Sequence, residues 1–137
     1  MKKVLIADDD LTFQRTMSDK LKRAGYAVIS AMDGEVGLKK AIEEKPDLLL
    51  LDVKMPKMDG ITLLKALRSN KDVPKVPVLI TSNLEGTDNI AEGVSLGVKG
   101  YIIKSNETLD TLLREIEAIL SPEKKFETVI TEVKQDV

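Results

Sequence analysis

Two residue types are missing from this chain. Its 137 residues include no cysteine and no histidine. Without cysteine there are no disulfides, thiolate metal ligands or cysteine nucleophiles. Without histidine the commonest general base is absent, and so are the Ser-His and Cys-His dyads. The chemistry left to carboxylates, hydroxyls, lysines and backbone favours phosphoryl transfer around a hard cation.

Aromatic residues, positive charge and long apolar runs are also scarce. Aromatics make up 3% of the residues, too few for a base-stacking surface, and the net charge of −2 argues against direct binding of nucleic acid. No apolar run reaches the roughly 18 residues that cross a bilayer, so membrane insertion is not expected. With 42% hydrophobic and 32% charged residues, the composition indicates a globular, cytoplasmic protein.

Short apolar runs alternate with amphipathic stretches as far as residue 120. The runs are mostly continuous, as in parallel strands that helices cover on both faces. Five strands are predicted: Val4–Ala7, Ala27–Ser30, Leu48–Leu51, Val78–Thr81 and Tyr101–Ile103. Five βα units predict an α/β, three-layer sandwich with a parallel five-stranded sheet. Right-handed crossovers leave two common doubly wound orders, and five strands fit the flavodoxin-like order 2-1-3-4-5.

The helix patterns differ in strength and suggest where the domain ends. The fourth, about Asp88 to Leu96, contains Gly93 and few large apolar residues, whereas the fifth has a strong apolar stripe that runs to Leu120. We therefore expect one domain over residues 1–120. Residues 121–137 are interpreted as a C-terminal tail or linker with a helical apolar pattern, although its β-branched run weakens the helix prediction.

Acidic residues follow two of the predicted strands. Asp8, Asp9 and Asp10 come after the first strand and Asp52 after the third. These strands flank the point where the sheet order reverses, and ligands bind beyond their carboxyl ends. A single Asp there is often only a helix N-cap. Carboxylates brought together from two strands instead predict a Mg²⁺ site, because the cation relieves their mutual repulsion.

A hydroxyl and a lysine follow the fourth and fifth strands. Thr81 can donate a hydrogen bond to a phosphoryl oxygen, and Lys104 can place a positive charge beside it. Each alone is more simply read as a strand-end residue or a surface lysine. Together with the acids, they predict one pocket for a metal ion and a phosphoryl group.

Five segments resemble the receiver domains of two-component response regulators, of the single-domain, chemotaxis-regulator type. They cover about residues 2 to 120 in the family's order and spacing. The segments are Val4–Asp10, Leu50–Pro56, Asp59-Gly60, Leu79–Ser82 and Gly100–Lys104.

The resemblance implies a role for each pocket residue. Asp52 would be the nucleophile that becomes an aspartyl phosphate. Asp9 would bind Mg²⁺ directly, and Asp8 would bind it through water or help to position it. Asp52 and the backbone carbonyl of Lys54 would complete the protein's share of the ligands. Thr81 and Lys104 would bind the phosphoryl oxygens.

The resemblance also implies a switch and its partners. Thr81 would move toward the phosphoryl group and Tyr101 would rotate into the vacated space, changing the face formed by the fourth helix, fifth strand and fifth helix. A histidine kinase or phosphotransfer protein would donate the phosphoryl group, and a downstream protein would bind that face. A homodimer after phosphorylation is a further expectation. The chain would not be an enzyme with a separate substrate; it would assist its own phosphorylation and dephosphorylation.

Three positions depart from the family or vary within it. Ser105 stands where the family usually has a proline with a cis peptide bond, so the Lys104–Ser105 bond is expected to be either trans, with an altered loop, or strained. Lys54 and Asn83 occupy positions that tune the lifetime of the phosphoryl group, and the sequence does not set that lifetime.

Two rival interpretations remain open. Asp8-Asp9-Asp10-Leu11-Thr12 resembles the signature of haloacid-dehalogenase-like phosphatases, in which Asp8 would be the nucleophile and Asp10 the acid and base. Against this, no second acidic pair follows Lys104, and Asp52 would have no role. The other rival is a degenerate receiver that binds proteins without being phosphorylated.

Overall fold

The computed structural model describes residues 1–83 and 92–121, and its centre is a five-stranded sheet. All four neighbouring strand pairs are parallel, and the order is β2-β1-β3-β4-β5. This confirms the predicted sheet and its order. The strands are β1 (Lys3–Ala7), β2 (Ala27–Ala31), β3 (Leu48–Asp52), β4 (Val78–Ser82) and β5 (Gly100–Ile103).

Helices connect the strands, and polar side chains begin most of them. Asp10, Asp33, Asp59 and Thr108 each accept a hydrogen bond from a backbone N–H in the first turn of the helix that follows. The helices are α1 (Leu11–Arg23), α2 (Gly34–Glu44), α3 (Gly60–Ser69), a helical turn at 92–95 labelled α4, and α5 (Leu109–Leu120). Residues 88–91 of the predicted fourth helix and residues 122–137 of the tail lie outside the described residues.

Two apolar cores lie on opposite faces of the sheet. Leu5 and Leu49 belong to the core beneath α2 and α3, whereas Ile6 and Leu50 belong to the core beneath α1 and α5. Successive strand residues thus alternate between two covered faces, which explains the continuous apolar runs. Within the described ranges, no helix is long and apolar enough to cross a membrane.

The register aligns the carboxyl ends of the strands at one edge of the sheet. Ala7 lies opposite Leu51, and Asp52 lies opposite Thr81. The next pairing along the sheet places Ser82 opposite Ile103. The residues that begin the following loops therefore lie around a single edge, where the sequence predicts the pocket.

Candidate functional site

Three acidic side chains meet at this edge. Oxygens of Asp8, Asp9 and Asp52 all lie within 4.8 Å of one another. Asp8 is 1% exposed and Asp52 8%, while Asp9 faces solvent. Hard oxygen donors at this spacing, open on one side, suit Mg²⁺, which keeps several waters when it binds to proteins. The residues present therefore fit the predicted metal ion.

Asp10 does not join this acidic cluster. Its Oδ1 accepts a hydrogen bond from the backbone N–H of Phe13 at 3.1 Å, so its carboxylate caps α1. The simple N-cap interpretation thus holds for Asp10, although it does not account for Asp8 and Asp9.

The surroundings of Asp52 disfavour its charged form. Burial is the largest cause, followed by the charge of Asp8, and together they raise the pKa of Asp52 to about 7. Asp9 acts in the same direction, whereas Lys104 and a backbone hydrogen bond from Val53 oppose the rise. A bound cation would reverse this balance, because it would stabilise all three carboxylates.

This raised pKa makes the stability of the metal-free protein depend on pH. The folded protein holds a proton on Asp52 that the unfolded chain loses near pH 4, so stability should fall as pH rises from about 4 to about 7. The full shift corresponds to roughly 4 kcal/mol, and contact with water at the open side reduces our expectation to about 2 kcal/mol. Asp52→Asn should remove the effect, since its amide does not ionise.

Urea denaturation in EDTA at pH 5 and pH 8 would measure this difference. We expect the free energy of unfolding of wild type to fall from pH 5 to pH 8 relative to that of Asp52→Asn. An equal change with pH in both proteins would show that the Asp52 carboxyl titrates normally.

Lys104 contacts the acidic cluster by forming an ion pair with Asp8. Its Nζ lies 2.5 Å from Asp8 Oδ2, and its side chain is 10% exposed. The ammonium also lies 4.4 Å from the centroid of the Phe13 ring, in cation–π contact. The described residues contain no cis peptide bond, so the Lys104–Ser105 bond is trans and begins a short 3-10 turn, Lys104–Asn106. The expectation of a trans bond is therefore met.

The two predicted switch hydroxyls are buried. Thr81 is 0% exposed and lies opposite Asp52 in the register. Neither Thr81 Oγ1 nor Tyr101 Oη has a hydrogen-bond partner in the part of the chain that the structure describes. Each hydroxyl is thus available for a new acceptor. Lys54 is exposed, two residues beyond Asp52.

Two residues beside the site were given no role from the sequence, although Gly60 lies in one of the segments that resemble the family. Gly60 donates its backbone N–H to the Val53 carbonyl at 2.7 Å, and a Cβ there would lie 2.1 Å from the backbone oxygen of Asp52. Gln14 is 3% exposed and contacts the backbone of Asp8. One signal was available: Gln14, Met17 and Leu21 are spaced as one helix face, which puts a polar residue at a core position.

Comparison with known protein families shows which family this chain belongs to. Residues 4–117 match the response regulator receiver domain. The chain belongs to that family. The receiver-domain resemblance seen in the sequence is therefore confirmed.

Curated relatives of this receiver domain are regulators. The alkaline phosphatase synthesis transcriptional regulatory protein PhoP of Bacillus subtilis is 43% identical over 103 residues, covering 75% of this chain and 42% of the relative. The DNA-binding dual master transcriptional regulator RpaA of Synechocystis is 33% identical over 120 residues, covering 88% and 49%. The chain thus spans less than half the length of either relative.

Solved structures include receivers of about the same length. The chemotaxis protein CheY4 of Vibrio cholerae is 32% identical with a TM-score of 0.79, covering 88% of this receiver domain and 99% of that chain. A CheY-like receiver domain protein from Methanospirillum hungatei is 28% identical with a TM-score of 0.83, covering 91% and 98%. These likenesses support the flavodoxin-like order of the sheet.

Proposed function

We propose that this receiver domain accepts a phosphoryl group on Asp52 in a Mg²⁺-assisted transfer. The observation that carries the proposal is the convergence of three carboxylates at one edge of the sheet, with oxygens within 4.8 Å. Asp52 ends β3 and lies opposite Thr81, so the phosphoryl group would form beside a buried hydroxyl.

The metal would be held by the acidic cluster. Asp8, Asp9 and Asp52 would contribute carboxylate oxygens and Lys54 its backbone carbonyl, with water filling the remaining positions. When bound, Mg²⁺ would offset negative charge on the acidic cluster and on the transferring phosphoryl oxygens. Asp52 would then be fully ionised at neutral pH, as a nucleophile must be.

The transfer itself joins Asp52 to phosphorus. A carboxylate oxygen of Asp52 attacks, the P–N bond of a phosphohistidine donor breaks, and the departing imidazole takes a proton from solvent. The protein contributes mainly position and electrostatics, since such transition states are loose. Thr81 would donate its hydroxyl to one phosphoryl oxygen, and the Lys104 ammonium would pair with another.

The same contacts would drive the switch. Thr81 Oγ1 would gain an acceptor that it lacks among the described residues. Its movement would open space for Tyr101, whose ring already packs against the core beneath α2 and α3. The surface formed by α4, β5 and α5 would then bind a downstream protein differently.

The donor and the target are separate proteins in this proposal. The chain contains no histidine, so it cannot provide the phosphohistidine itself. A histidine kinase or phosphotransfer protein would supply it, in the cytoplasm. Because this domain has its own acceptor residue, we regard it as a signalling protein that assists its own phosphorylation and dephosphorylation. Phosphorylation could also promote a homodimer.

Two contacts argue against the dehalogenase-like alternative. Asp10, its acid and base, is already engaged by the backbone of α1. Asp8, its nucleophile, is 1% exposed and paired with Lys104. Asp52 is the better placed nucleophile because it is more accessible than Asp8, at 8% against 1%, and lies opposite the Thr81 hydroxyl.

Acetyl phosphate labelling tests the proposal directly. Wild type, Asp52→Asn and Asp8→Asn would be incubated with acetyl phosphate, with and without Mg²⁺, and read by intact mass. We expect a Mg²⁺-dependent adduct in wild type, none in Asp52→Asn, and a reduced yield in Asp8→Asn through weakened metal binding. Asp10→Asn is the matched control, since it changes an Asp of the same segment that does not join the cluster.

The rival functions give different patterns. Steady hydrolysis of acetyl phosphate that survives Asp52→Asn but stops in Asp8→Asn would indicate the phosphatase. Neither adduct nor turnover in wild type would contradict phosphorylation and favour a binding module that works without it.

A further inference from the structure

We propose that Gln14 is a positioning residue for the metal site, acting through the backbone that carries Asp8 and Asp9. The inference rests on the proposed function, because it concerns the Mg²⁺ ligands. Gln14 itself does not contact the acidic carboxylates. Its side-chain amide instead joins the chain segments from which they project.

The amide nitrogen of Gln14 contacts three backbone carbonyls. Its Nε2 lies 2.9 Å from the oxygen of Ile6, 3.0 Å from that of Asp8 and 2.9 Å from that of Ala31. Two N–H groups serve three acceptors, so one is shared. Gln14 thus ties the end of β1 to the end of β2 from a position inside α1.

These contacts fix the peptide plane between the two acidic residues. The Asp8 carbonyl belongs to the peptide that links Asp8 to Asp9. Holding its oxygen therefore sets the direction of the backbone at Asp9. The Ala31 carbonyl also accepts the Asp8 backbone N–H, at 3.0 Å. Gln14 therefore supports Asp8 from both sides of its α-carbon.

The cost of placing Gln14 here argues for a specific role. It shares the core-facing side of α1 with Met17 and Leu21, which are 0% exposed. Its Oε1 is buried and has no hydrogen-bond partner among residues 1–83 and 92–121. An unpaired buried carbonyl is unfavourable, so packing alone would favour an apolar side chain. The gain lies in the three contacts of Nε2.

The carboxylate of Asp8 is otherwise held by contacts that metal binding would disturb. Oδ2 pairs with Lys104, and Oδ1 accepts from the backbone N–H of Asp10 at 2.9 Å. A bound cation would compete with Lys104 for Oδ2. The Gln14 contacts involve no charge and would persist in the metal-bound state, so they can preorganise the ligands.

Calorimetric titration with Mg²⁺ alone tests this role. Gln14→Met keeps the length of the side chain and removes the donors, and we expect it to weaken Mg²⁺ binding about 10-fold or more, as loss of a ligand-orienting contact does. Met17→Ala is the control: it destabilises the same face of α1 without contacting Asp8, and its Kd should stay within about 2-fold of wild type. If Gln14→Met does not fold by circular dichroism, Gln14→Ala takes its place.

A second readout separates positioning from simple loss of stability. Raising Mg²⁺ about 10-fold should restore the acetyl phosphate adduct of Gln14→Met, because Asp52 is intact. A Kd unchanged from wild type in Gln14→Met, with weakened binding in Asp8→Asn, would overturn the role of Gln14 and leave the proposed function standing. Absence of Mg²⁺ binding in wild type would overturn both.

Discussion

Lys104→Met is expected to lower the free energy of unfolding of the metal-free protein by about 3 kcal/mol, because it leaves a buried carboxylate without its partner. The Asp8 side chain is 1% exposed, and the Lys104 side chain that pairs with it is 10% exposed. Met has a similar length but no charge, so it also removes the cation–π contact with Phe13. Mg²⁺ should restore much of the lost stability, since it would replace the missing positive charge.

Urea denaturation with and without Mg²⁺ would measure this effect. Lys20→Met is the control: it also breaks a Lys–Asp pair, but the partner Asp110 is 74% exposed, so we expect a much smaller loss of stability. Asp8→Asn added to Lys104→Met should recover most of the loss in a double-mutant cycle. Equal losses for the two lysine variants would show that the buried pair contributes little.

Gly60→Ala is expected to destabilise the protein by about 3 kcal/mol and to reduce phosphorylation of Asp52. The new Cβ would lie 2.1 Å from the Asp52 backbone oxygen and 3.1 Å from the Val53 Cα. Both neighbours are backbone atoms, so relief requires α3 or the end of β3 to move. Either movement shifts the residue that accepts the phosphoryl group.

Gly93→Ala is the matched comparison for this prediction. Its Cβ would meet the Ile80 Cδ1 at 3.0 Å, a side-chain tip that can turn away. We expect a change within about 1 kcal/mol, measured by urea denaturation alongside the rate of adduct formation. A Gly60→Ala protein as stable and as reactive as Gly93→Ala would contradict the close approach of α3 to Asp52.

The apolar runs predicted the sheet well because burial acts on each strand separately. Leu48 to Leu51 are covered on both faces, so their composition alone indicates a central strand. The acidic cluster was also predictable, since parallel strands place their carboxyl ends at one edge. In both cases each short segment carries its own signal, and the order of the sheet then brings the segments together.

Other features depend on contacts between segments far apart in the chain. The Gln14 amide donates to the Ala31 carbonyl, 17 residues away in the chain. Position 60 must be glycine because a side chain there would clash with the backbone oxygen of Asp52. Nothing within either segment encodes that approach, although the core-facing position of Gln14 offered a hint. Asp10 caps a helix whereas Asp8 belongs to the acidic cluster, and this difference likewise depends on how the chain turns after β1.

The acidic residues of the pocket are synthesised before its hydroxyl and its lysine. Asp8, Asp9 and Asp52 all come from the first 52 residues, whereas Thr81 and Lys104 come later. The three strands that carry or support the acids, β1, β2 and β3, are neighbours in the sheet, and the two pairings between them involve neither β4 nor β5. In a chain that has reached β3 but not Lys104, water, protons or free cations would offset the repulsion between these carboxylates, because the lysine is not yet present.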